Sequence, residues 1–565
     1  MSLFSAINVA GNALQANQIG LQVVGQNIAN ASTPGYLREQ AVFVPGPTQQ
    51  VGNLLEGTGV QIQGITQNIN NFLEQQLRNA NSDQSNTAVN TQTFTQLQNL
   101  LNELGTSNLN NNLSGFFSSI AQVLNSPQDP SARNLAVLNG QTVAGDFNNL
   151  AGQVGQLRQN LNDEVSNSAS SINSLLTQIG NLNVQIAQAT GGGTSASAAV
   201  GLTDQRNQAL SSLSQLINVT TAQQQDGTIS VYVGGQYLVD EGIVRQVQTD
   251  QTTSGGVQVD NLAISGSDTP LAVTSGQVAG LINSRDQILG GFTTQLNSLA
   301  GTLASEFNKI YSGGQGLAGY TQVTSAAPVD DVNAPLDAAG LAVTPTTGDF
   351  QVLLYNTQTG LSQTTTVHVT ENGLGGDTTL ASLAGQLNSI SGLSASVTPQ
   401  GRLSLTATAP NTQVAFAGDT SGTLAAIGLN TFFTGSTAGD LAVNGVVSQN
   451  PSTFAASAGG VGADTQVAQQ LANFANLPLA SQNGSTFTDL QNSLAANVTQ
   501  QASVAQSASQ AATSFQQSLQ NQETSVSGVN IDDETISLLQ YQHAYEASAR
   551  FISALNTLFD QLVQL

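Results

Sequence analysis

The residues best suited to chemistry are few and lie far apart in this chain. Its 565 residues include two histidines, a single lysine at Lys309, and no cysteine. His368 lies in a predicted strand among threonines, and His543 lies beside an apolar helical stripe. A metal site or a catalytic dyad needs several such groups close together, so neither histidine indicates one. We expect His543 to lie on a helix surface, and a pH-sensing role is the alternative.

The aspartates and glycines also do not match the sequence motifs of known calcium-binding or phosphate-binding loops. Asp330, Asp331 and Asp337 lack the Asp-x-Asp-x-Asp-Gly loop and terminal glutamate of a calcium-binding loop. The glycine run 191–193 lacks the Gly-Lys-Ser/Thr ending of a phosphate-binding loop. A chain without cysteine has no disulfide, thiolate zinc site or cysteine nucleophile. The sequence therefore predicts no enzyme, no catalytic residue, no cofactor and no metal.

The composition excludes other classes of protein. Only 8% of the residues are charged and the net charge is −24, so a phosphate backbone would be repelled and we expect no nucleic-acid binding. The first residues lack the basic region of a cleaved signal peptide. No apolar run reaches the roughly 18 residues of a membrane span, so we expect no membrane insertion.

The elements that stand out are apolar heptads at the two ends of the chain. Heptad spacing places side chains on one seam of a helix, and such a seam needs a second helix to cover it. We predict that the N- and C-terminal helices pair as a coiled coil, and that the seam residues also pack between subunits. The predicted packing residues are Leu3, Ile7, Leu14, Leu21, Val24, Ile28, Leu538, Tyr541, Tyr545, Ile552, Leu555, Phe559 and Leu562.

The first helix has a low intrinsic helix propensity. Gly11, Gly20 and Gly25 each cost about 1 kcal/mol relative to alanine. Isolated helices are marginal even with better residues. We infer that residues 3–30 order on packing rather than alone.

Between the ends, helical periodicity alternates with strand-like segments. Helices are predicted over 70–104, 131–189, 276–311 and 464–523, a hairpin at Asp226-Gly227, and a compact β-dominated insert at 320–450. We predict an α+β multidomain protein with paired terminal helices, a long helical-bundle domain, and β-rich outer domains inserted in the middle. The predicted domains are 1–69 with 526–565 (terminal coiled coil), 70–201 with 276–319 and 455–525 (helical bundle), 202–275 (β-rich), and 320–454 (second β-rich insert).

Two sequence segments at the ends of the chain resemble a known protein family. Residues 24–36 resemble the N-terminal signature of bacterial flagellar rod, hook and hook-associated proteins. Residues 531–534 and 541–550 resemble the C-terminal motif of the family members that join hook to filament, and internal segments agree. The resemblance covers roughly 1–325 and 455–565. The signature residues are Asn27, Asn30, Ser32, Thr33, Pro34, Gly35 and Tyr36.

The resemblance implies a structural role and a set of partners. Such a protein would form a junction ring of about eleven copies at the distal end of the hook. It would contact the hook protein below, and a second junction protein and the flagellin filament above. A cytoplasmic export chaperone and type III export without signal cleavage are also implied. The protein would then be an extracellular part of the flagellum, needed for filament assembly.

Two alternatives remain at this stage. The chain could be a hook or distal rod protein of the same family, or a β-rich surface adhesin that binds through the 320–454 insert. The run Asp532-Asp533-Glu534 opens the last predicted helix, where carboxylates favour the positive end of the helix dipole. A contact with a chaperone or another subunit is the alternative for this run.

Overall fold

The computed structural model describes residues 3–33, 35–51, 54–102, 108–191, 199–267, 269–462 and 464–563. Its helices are α1 (Leu3–Asn30), α2 (Asn71–Asn102), α3 (Leu109–Asn125), α4 (Pro130–Gly191), α5 (Val200–Leu216), α6 (Gln277–Asn283), α7 (Leu289–Tyr311), α8 (Leu380–Asn388), α9 (Thr423–Ala426), α10 (Gly445–Gln449), α11 (Gln466–Ala472), α12 (Phe487–Ser527) and α13 (Ile531–Val563). A π-helical turn, Ser284–Ile288, connects α6 to α7.

The strands are short and pair antiparallel. They are β1 (Glu39–Pro45), β2 (Thr48–Val51), β3 (Leu54–Gly57), β4 (Val60–Gln67), β5 (Thr220–Gln223), β6 (Ile229–Val233), β7 (Gln236–Asp240), β8 (Ile243–Val244), β9 (Val247–Ser254), β10 (Val257–Ile264), β11 (Thr269–Pro270), β12 (Gln322–Thr324), β13 (Gly348–Asn356), β14 (Ser362–Val369), β15 (Leu393–Val397), β16 (Leu403–Ala407), β17 (Thr412–Ala417), β18 (Phe433–Thr434) and β19 (Ala442–Val443). Long helices and separate small sheets confirm the predicted α+β multidomain class.

The chain divides into two compact units. The first contains residues 1–93, 159–286 and 503–565, and the second contains residues 94–158 and 287–502. The boundaries fall within α2, α4, the π-helical turn and α12. This division does not test the four predicted domains, which stay a prediction.

The first unit combines the two ends of the chain with two groups of sheets. Strands β1 and β4 pair with a register shift between Val42 and Phe43, and β2 pairs with β3. The order β5-β6-β7-β8 forms one sheet and β11-β10-β9 another. The hairpin predicted at Asp226-Gly227 is confirmed, since β5 pairs with β6 across it. Leu73 and Leu77 of α2 share a small core with Leu519 of α12.

The second unit has two adjoining apolar cores. An aromatic cluster joins Phe116 of α3 to Phe307 of α7 and to Phe432 and Phe433, with ring centroids 5.4–5.7 Å from Phe116. The insert has its own core between the sheets β12-β16-β15 and β14-β13-β17 and helix α8. Phe432 and Phe433, which fall within the predicted insert 320–454, pack in the aromatic cluster.

Candidate assembly site

Helices α1 and α13 pack against each other through aromatic side chains. The rings of Phe4 and Phe559 meet edge to face at 5.7 Å between centroids. Farther along, the ring of Tyr541 lies on Gly20, where an added Cβ would be 3.0 Å from the ring carbons. Phe43 of β1 contacts the same tyrosine, with centroids 5.8 Å apart. Glycine at position 20 therefore permits a close approach of the Tyr541 ring, although it lowers helix propensity.

The predicted packing residues belong to these two helices and most are incompletely covered in one chain. Val24 and Leu555 are buried, and Phe559 is more exposed although its ring meets Phe4. The side chain of Leu562 lies outside the described part of the chain. The half-buried members are Leu3, Ile7, Leu14, Leu21, Ile28, Leu538, Tyr541, Tyr545 and Ile552. A coiled coil is not confirmed by this packing and stays a prediction.

A second stripe of α13 is open to solvent. Ile536, Leu539, Phe551 and Leu558 have exposed fractions of 56%, 49%, 51% and 52%. Their spacing places them along one side of the helix, away from the residues that face α1. A single chain therefore exposes an apolar surface of the kind that marks protein–protein contacts.

The side-chain amide of Asn27 ties α1 to the elements around it. Its Nδ2 donates to the carbonyl of Glu39 at 2.8 Å and to Oε2 of Glu534 at 3.0 Å. Its Oδ1 accepts from the Glu39 N–H at 3.0 Å and from the Tyr36 hydroxyl at 2.9 Å. All four bonding positions of the amide are used. Aspartate at this position would lose both donors and repel Glu534.

Glu534 receives a second partner from the segment after α1. Arg38 Nε lies 2.7 Å from Oε1 of Glu534. The glutamate side chain is 2% exposed and the arginine side chain 41% exposed. The Arg38 N–H also donates to the Ser527 carbonyl at 2.8 Å. A buried carboxylate needs such partners, because an unpaired buried charge is strongly destabilising.

Asn27, Tyr36, Arg38, Glu39 and Glu534 form a polar cluster, and burial raises the pKa of two of its members, Tyr36 and Glu39. The pKa of the Tyr36 hydroxyl lies well above its usual value, first because of burial and then because of nearby carboxylates, Glu39 foremost. Burial raises the pKa of Glu39 too, with a further contribution from Asp204. The Tyr36 hydroxyl therefore keeps its proton and can donate to Asn27.

The signature residues divide into two groups in the structure. Asn27 and Tyr36 join the polar cluster. Asn30, Ser32 and Thr33 belong to the exposed or half-buried turn after α1, where the Thr33 hydroxyl donates to Asn30 Oδ1 at 3.2 Å. Gly35 has a φ of +76°, which favours glycine. Pro34 lies outside the described residues.

Sequence reasoning missed the role of Glu534. It assigned the acidic run to the helix dipole, but the backbone caps of α13 come from Asn530, which accepts from the N–H groups of Asp532 and Glu534. Glu534 is instead buried against Asn27 and Arg38. No spacing pattern links positions so distant in the chain, so only the folded contact identifies this role.

The residues considered for chemistry take no part in the polar cluster. His543 is exposed on α13. His368 is exposed on β14 and contacts the carboxylate of Asp349 on β13. Within the described ranges, no group of three or more His, Asp or Glu side chains is arranged to hold a metal ion. None of the described helices has the length and apolar character to cross a lipid bilayer.

Comparison with protein families gives three matches. Residues 94–324 match the helical domain of the flagellar hook-associated protein FlgK. Residues 520–565 match the C-terminal region of the flagellar basal body rod proteins FlgEFG, and residues 7–36 match the flagellar basal body rod protein family. The two rod-protein matches fall on the paired helices α1 and α13.

Comparison with whole proteins agrees. The chain is 26% identical to flagellar hook-associated protein 1 of Salmonella typhimurium, over 99% of this chain and 100% of the relative. It is 24% identical to the protein of the same name from Escherichia coli, with the same coverage. The match to the Bacillus subtilis protein of that name is 26% over 55% of this chain and 68% of the relative.

The chain is also similar to solved structures, among them that of the flagellar hook junction protein FlgK from Burkholderia pseudomallei, with 20% sequence identity and a TM-score of 0.49. The similarity covers 80% of this chain and 100% of the solved chain.

Proposed function

We propose that this chain, a homologue of flagellar hook-associated protein 1, is a structural component of the bacterial flagellum that joins the hook to the filament. The family matches at both ends and in the helical domain support this role. So does similarity along the full length of relatives that carry the hook-associated name. The protein acts by assembly, not by catalysis.

The observation that carries the proposal is the incompletely covered pair of terminal helices. Seam residues such as Leu14 and Leu21 are half-buried in one chain, while the opposite stripe of α13 is open. Full burial of a leucine or isoleucine side chain contributes about 1.5–3 kcal/mol. Neighbouring subunits would supply that burial, and the thirteen predicted packing residues are our proposed subunit contacts.

The polar cluster would set the geometry of this contact. Apolar burial is non-directional, whereas the four hydrogen bonds of Asn27 fix how α1, α13 and the start of β1 meet. The signature residues around the turn after α1 would then present one defined surface to the next subunit.

The finer features of the role rest on family resemblance. The protein would form a ring of about eleven copies, since head-to-tail contacts close into rings or continue as helices. Its neighbours would be the hook protein below, with a second junction protein and flagellin above. It would leave the cell by type III export without signal cleavage, assisted by a cytoplasmic chaperone. The predicted division of the chain into four domains is also part of this proposal.

Deletion of the gene tests the proposal. Loss of a junction protein leaves hooks on the cell and releases flagellin monomers into the medium, whereas loss of a hook or rod protein leaves no hook. We expect hooks and secreted flagellin, with filaments restored by the wild-type gene. Cells that lose their hooks, or that keep their filaments, would contradict the proposal.

A further inference from the structure

A small polar cavity lies within the first unit, and its lining residues come from outside the terminal helices α1 and α13. It has a volume of about 210 Å³ and is bounded by the start of α2, by α5 and by the β5–β6 hairpin. Its lining includes the arginines Arg78 and Arg206. The chain has 10 lysines and arginines against 34 acidic residues. The lining of this cavity is nevertheless net positive, because it carries two guanidinium groups against one carboxylate, Glu74.

Both arginines are buried and incompletely bonded. Arg78 is 7% exposed and Arg206 is 2% exposed, and the Nε atom of each has no hydrogen-bond partner. The terminal nitrogens of Arg78 bond at 3.5 Å to Glu74, at 3.4 Å to Gln75 Oε1 and at 3.2 Å to Thr221 Oγ1. Arg206 Nη1 donates to Asn183 Oδ1 at 3.1 Å and to the Gly227 carbonyl at 2.7 Å. A buried donor without an acceptor is costly, more so when it is charged.

The pKa values of both guanidinium groups are lowered in this environment, which is poor in acceptors and counter-charges. Burial lowers the pKa of Arg78, and it lowers the pKa of Arg206 to about 10. Nearby carboxylates offset this only in part, namely Glu74 for Arg78 and Asp226 for Arg206. Asp226 also accepts from the N–H and hydroxyl of Thr228. An additional negative group in the cavity would therefore stabilise both guanidinium ions.

The rest of the lining suits a polar guest. Asn71, Thr203, Asn207 and Gln223 provide uncharged donors and acceptors around the cavity. The cavity also adjoins the first turn of α2, where the helix dipole favours negative charge. Glu74 opposes an anion here.

We propose that this cavity binds a small oxyanion, a carboxylate or a phosphate-like group, between the side chains of Arg78 and Arg206. Planar guanidinium groups match the paired oxygens of such anions. The volume is below the roughly 300–1,000 Å³ of drug-sized ligand sites. The guest is therefore a single charged group, from a free anion or from an acidic side chain.

Nuclear magnetic resonance of the wild-type chain tests the proposal directly. The arginine Nε–H signals are followed while acetate or inorganic phosphate is added at constant ionic strength, with chloride as the reference salt. We expect saturable shifts of the Arg78 and Arg206 signals. The signal of Arg245, which stacks 4.9 Å over the Tyr237 ring in the same unit, should not saturate. Saturation by both probes identifies a general oxyanion site, and saturation by acetate alone identifies a carboxylate site.

Substitution of Arg78 is the second test of the proposal. Arg78→Gln should weaken binding at Arg206 by at least about tenfold, because one charged partner is lost. Arg245→Gln is the matched control and should bind as the wild type does. No saturable shift in the wild-type chain, an equal shift at Arg245, or unchanged binding by a folded Arg78→Gln variant would overturn the proposal. The wild-type titration decides the question if Arg78→Gln fails to fold.

Discussion

The side chains of Asn27 and Glu534 hydrogen-bond to each other at 3.0 Å, although 507 positions separate them in the chain. The bond is buried. Asn27 also donates to the Glu39 carbonyl, and Glu534 also accepts from Arg38. The beginning of the last helix is thereby fixed to the end of the first. Because hydrogen bonds are directional, this contact fixes the relative orientation of two helices whose other contacts are mainly apolar.

Asn27→Ala should loosen this junction. The change leaves the Glu39 N–H, the Tyr36 hydroxyl and part of the Glu534 carboxylate without their partner, at a cost of about 1–3 kcal/mol. Amide hydrogen exchange in the first turns of α13 should become at least about tenfold faster. Asn30→Ala is the control, because Asn30 bonds only near its own turn. Equal exchange in the two variants would rule out the bridging role.

Two glycines of α1 should respond oppositely to alanine. Gly25 has open space around its Cα, so Gly25→Ala should stabilise α1 by up to about 1 kcal/mol. At Gly20 the added methyl group would press on Tyr541, which Phe43 holds from another side, so Gly20→Ala should cost about 1 kcal/mol net. Hydrogen exchange of α1 amides measures both changes. A stabilising Gly20→Ala would show that the ring is not held in place.

The stability of the first unit should decrease as the pH rises toward neutrality. Burial, and then the neighbouring Glu74 carboxylate, raise the pKa of Glu523 from 4.5 to about 7. The folded state then binds more protons than the unfolded state, so stability falls from about pH 4.5 to about pH 7 and levels off above. Thermal unfolding across this range measures the slope.

Glu523→Gln should reduce that slope and raise the unfolding temperature above pH 7. The amide carries no charge to repel Glu74, whatever the pH. Glu164→Gln removes a carboxylate from an exposed position of α4 and serves as control. If both variants keep the wild-type slope, the Glu74–Glu523 pair does not control the pH response.

Two deletions of the insert should differ in outcome. Residues 327–427 can be replaced by a short glycine linker, since the Ala326 N–H already bonds the Gly428 carbonyl at 2.9 Å. The larger deletion 325–450 also removes Phe432 and Phe433 from the aromatic cluster around Phe116, at a cost of several kcal/mol. Thermal unfolding should show a stable second unit only for the smaller deletion. Equal stability would place Phe432 and Phe433 outside the essential core.

A charged substitution in the predicted seam tests the packing proposal. Leu21→Asp places a carboxylate at a half-buried position of α1 in the predicted seam, and should leave the rest of the chain folded while abolishing its incorporation at the hook tip. Gln18→Asp adds the same charge at an exposed position of α1 and should still assemble. Motility and electron microscopy of the complemented deletion strain give the readout. Normal filaments with Leu21→Asp would refute the packing proposal.

The sequence predicted the elements that repeat and missed those that depend on distant contacts. Heptad spacing located α1 and α13, and Asp226-Gly227 located the β5–β6 hairpin. Helix α3 was not predicted, although Phe116 and Phe117 are buried in it. The π-helical turn was also missed, and it holds Arg285 against the Asp260 carbonyl at 2.6 Å.

The candidate site shows the same limit. Local patterns predicted the apolar seam, because periodicity is visible within a few turns, and the seam stays a prediction. The polar cluster was found only in part: Asn27 and Tyr36 were noted by resemblance, while the roles of Arg38 and Glu534 depend on two ends of the chain meeting. The helix-propensity cost of Gly20 was visible in the sequence, but its cause, the Tyr541 ring, was not.

The bond between Asn27 and Glu534 also constrains the order of folding. Joining two points 507 residues apart closes a very long loop, and the entropic cost of closure is lowest once the intervening chain is compact. Glu534 follows Asn27 by 507 residues, so this bond cannot form on a nascent chain before those residues have been made. We therefore expect the bond to be a late event in folding, after the intervening chain has become compact.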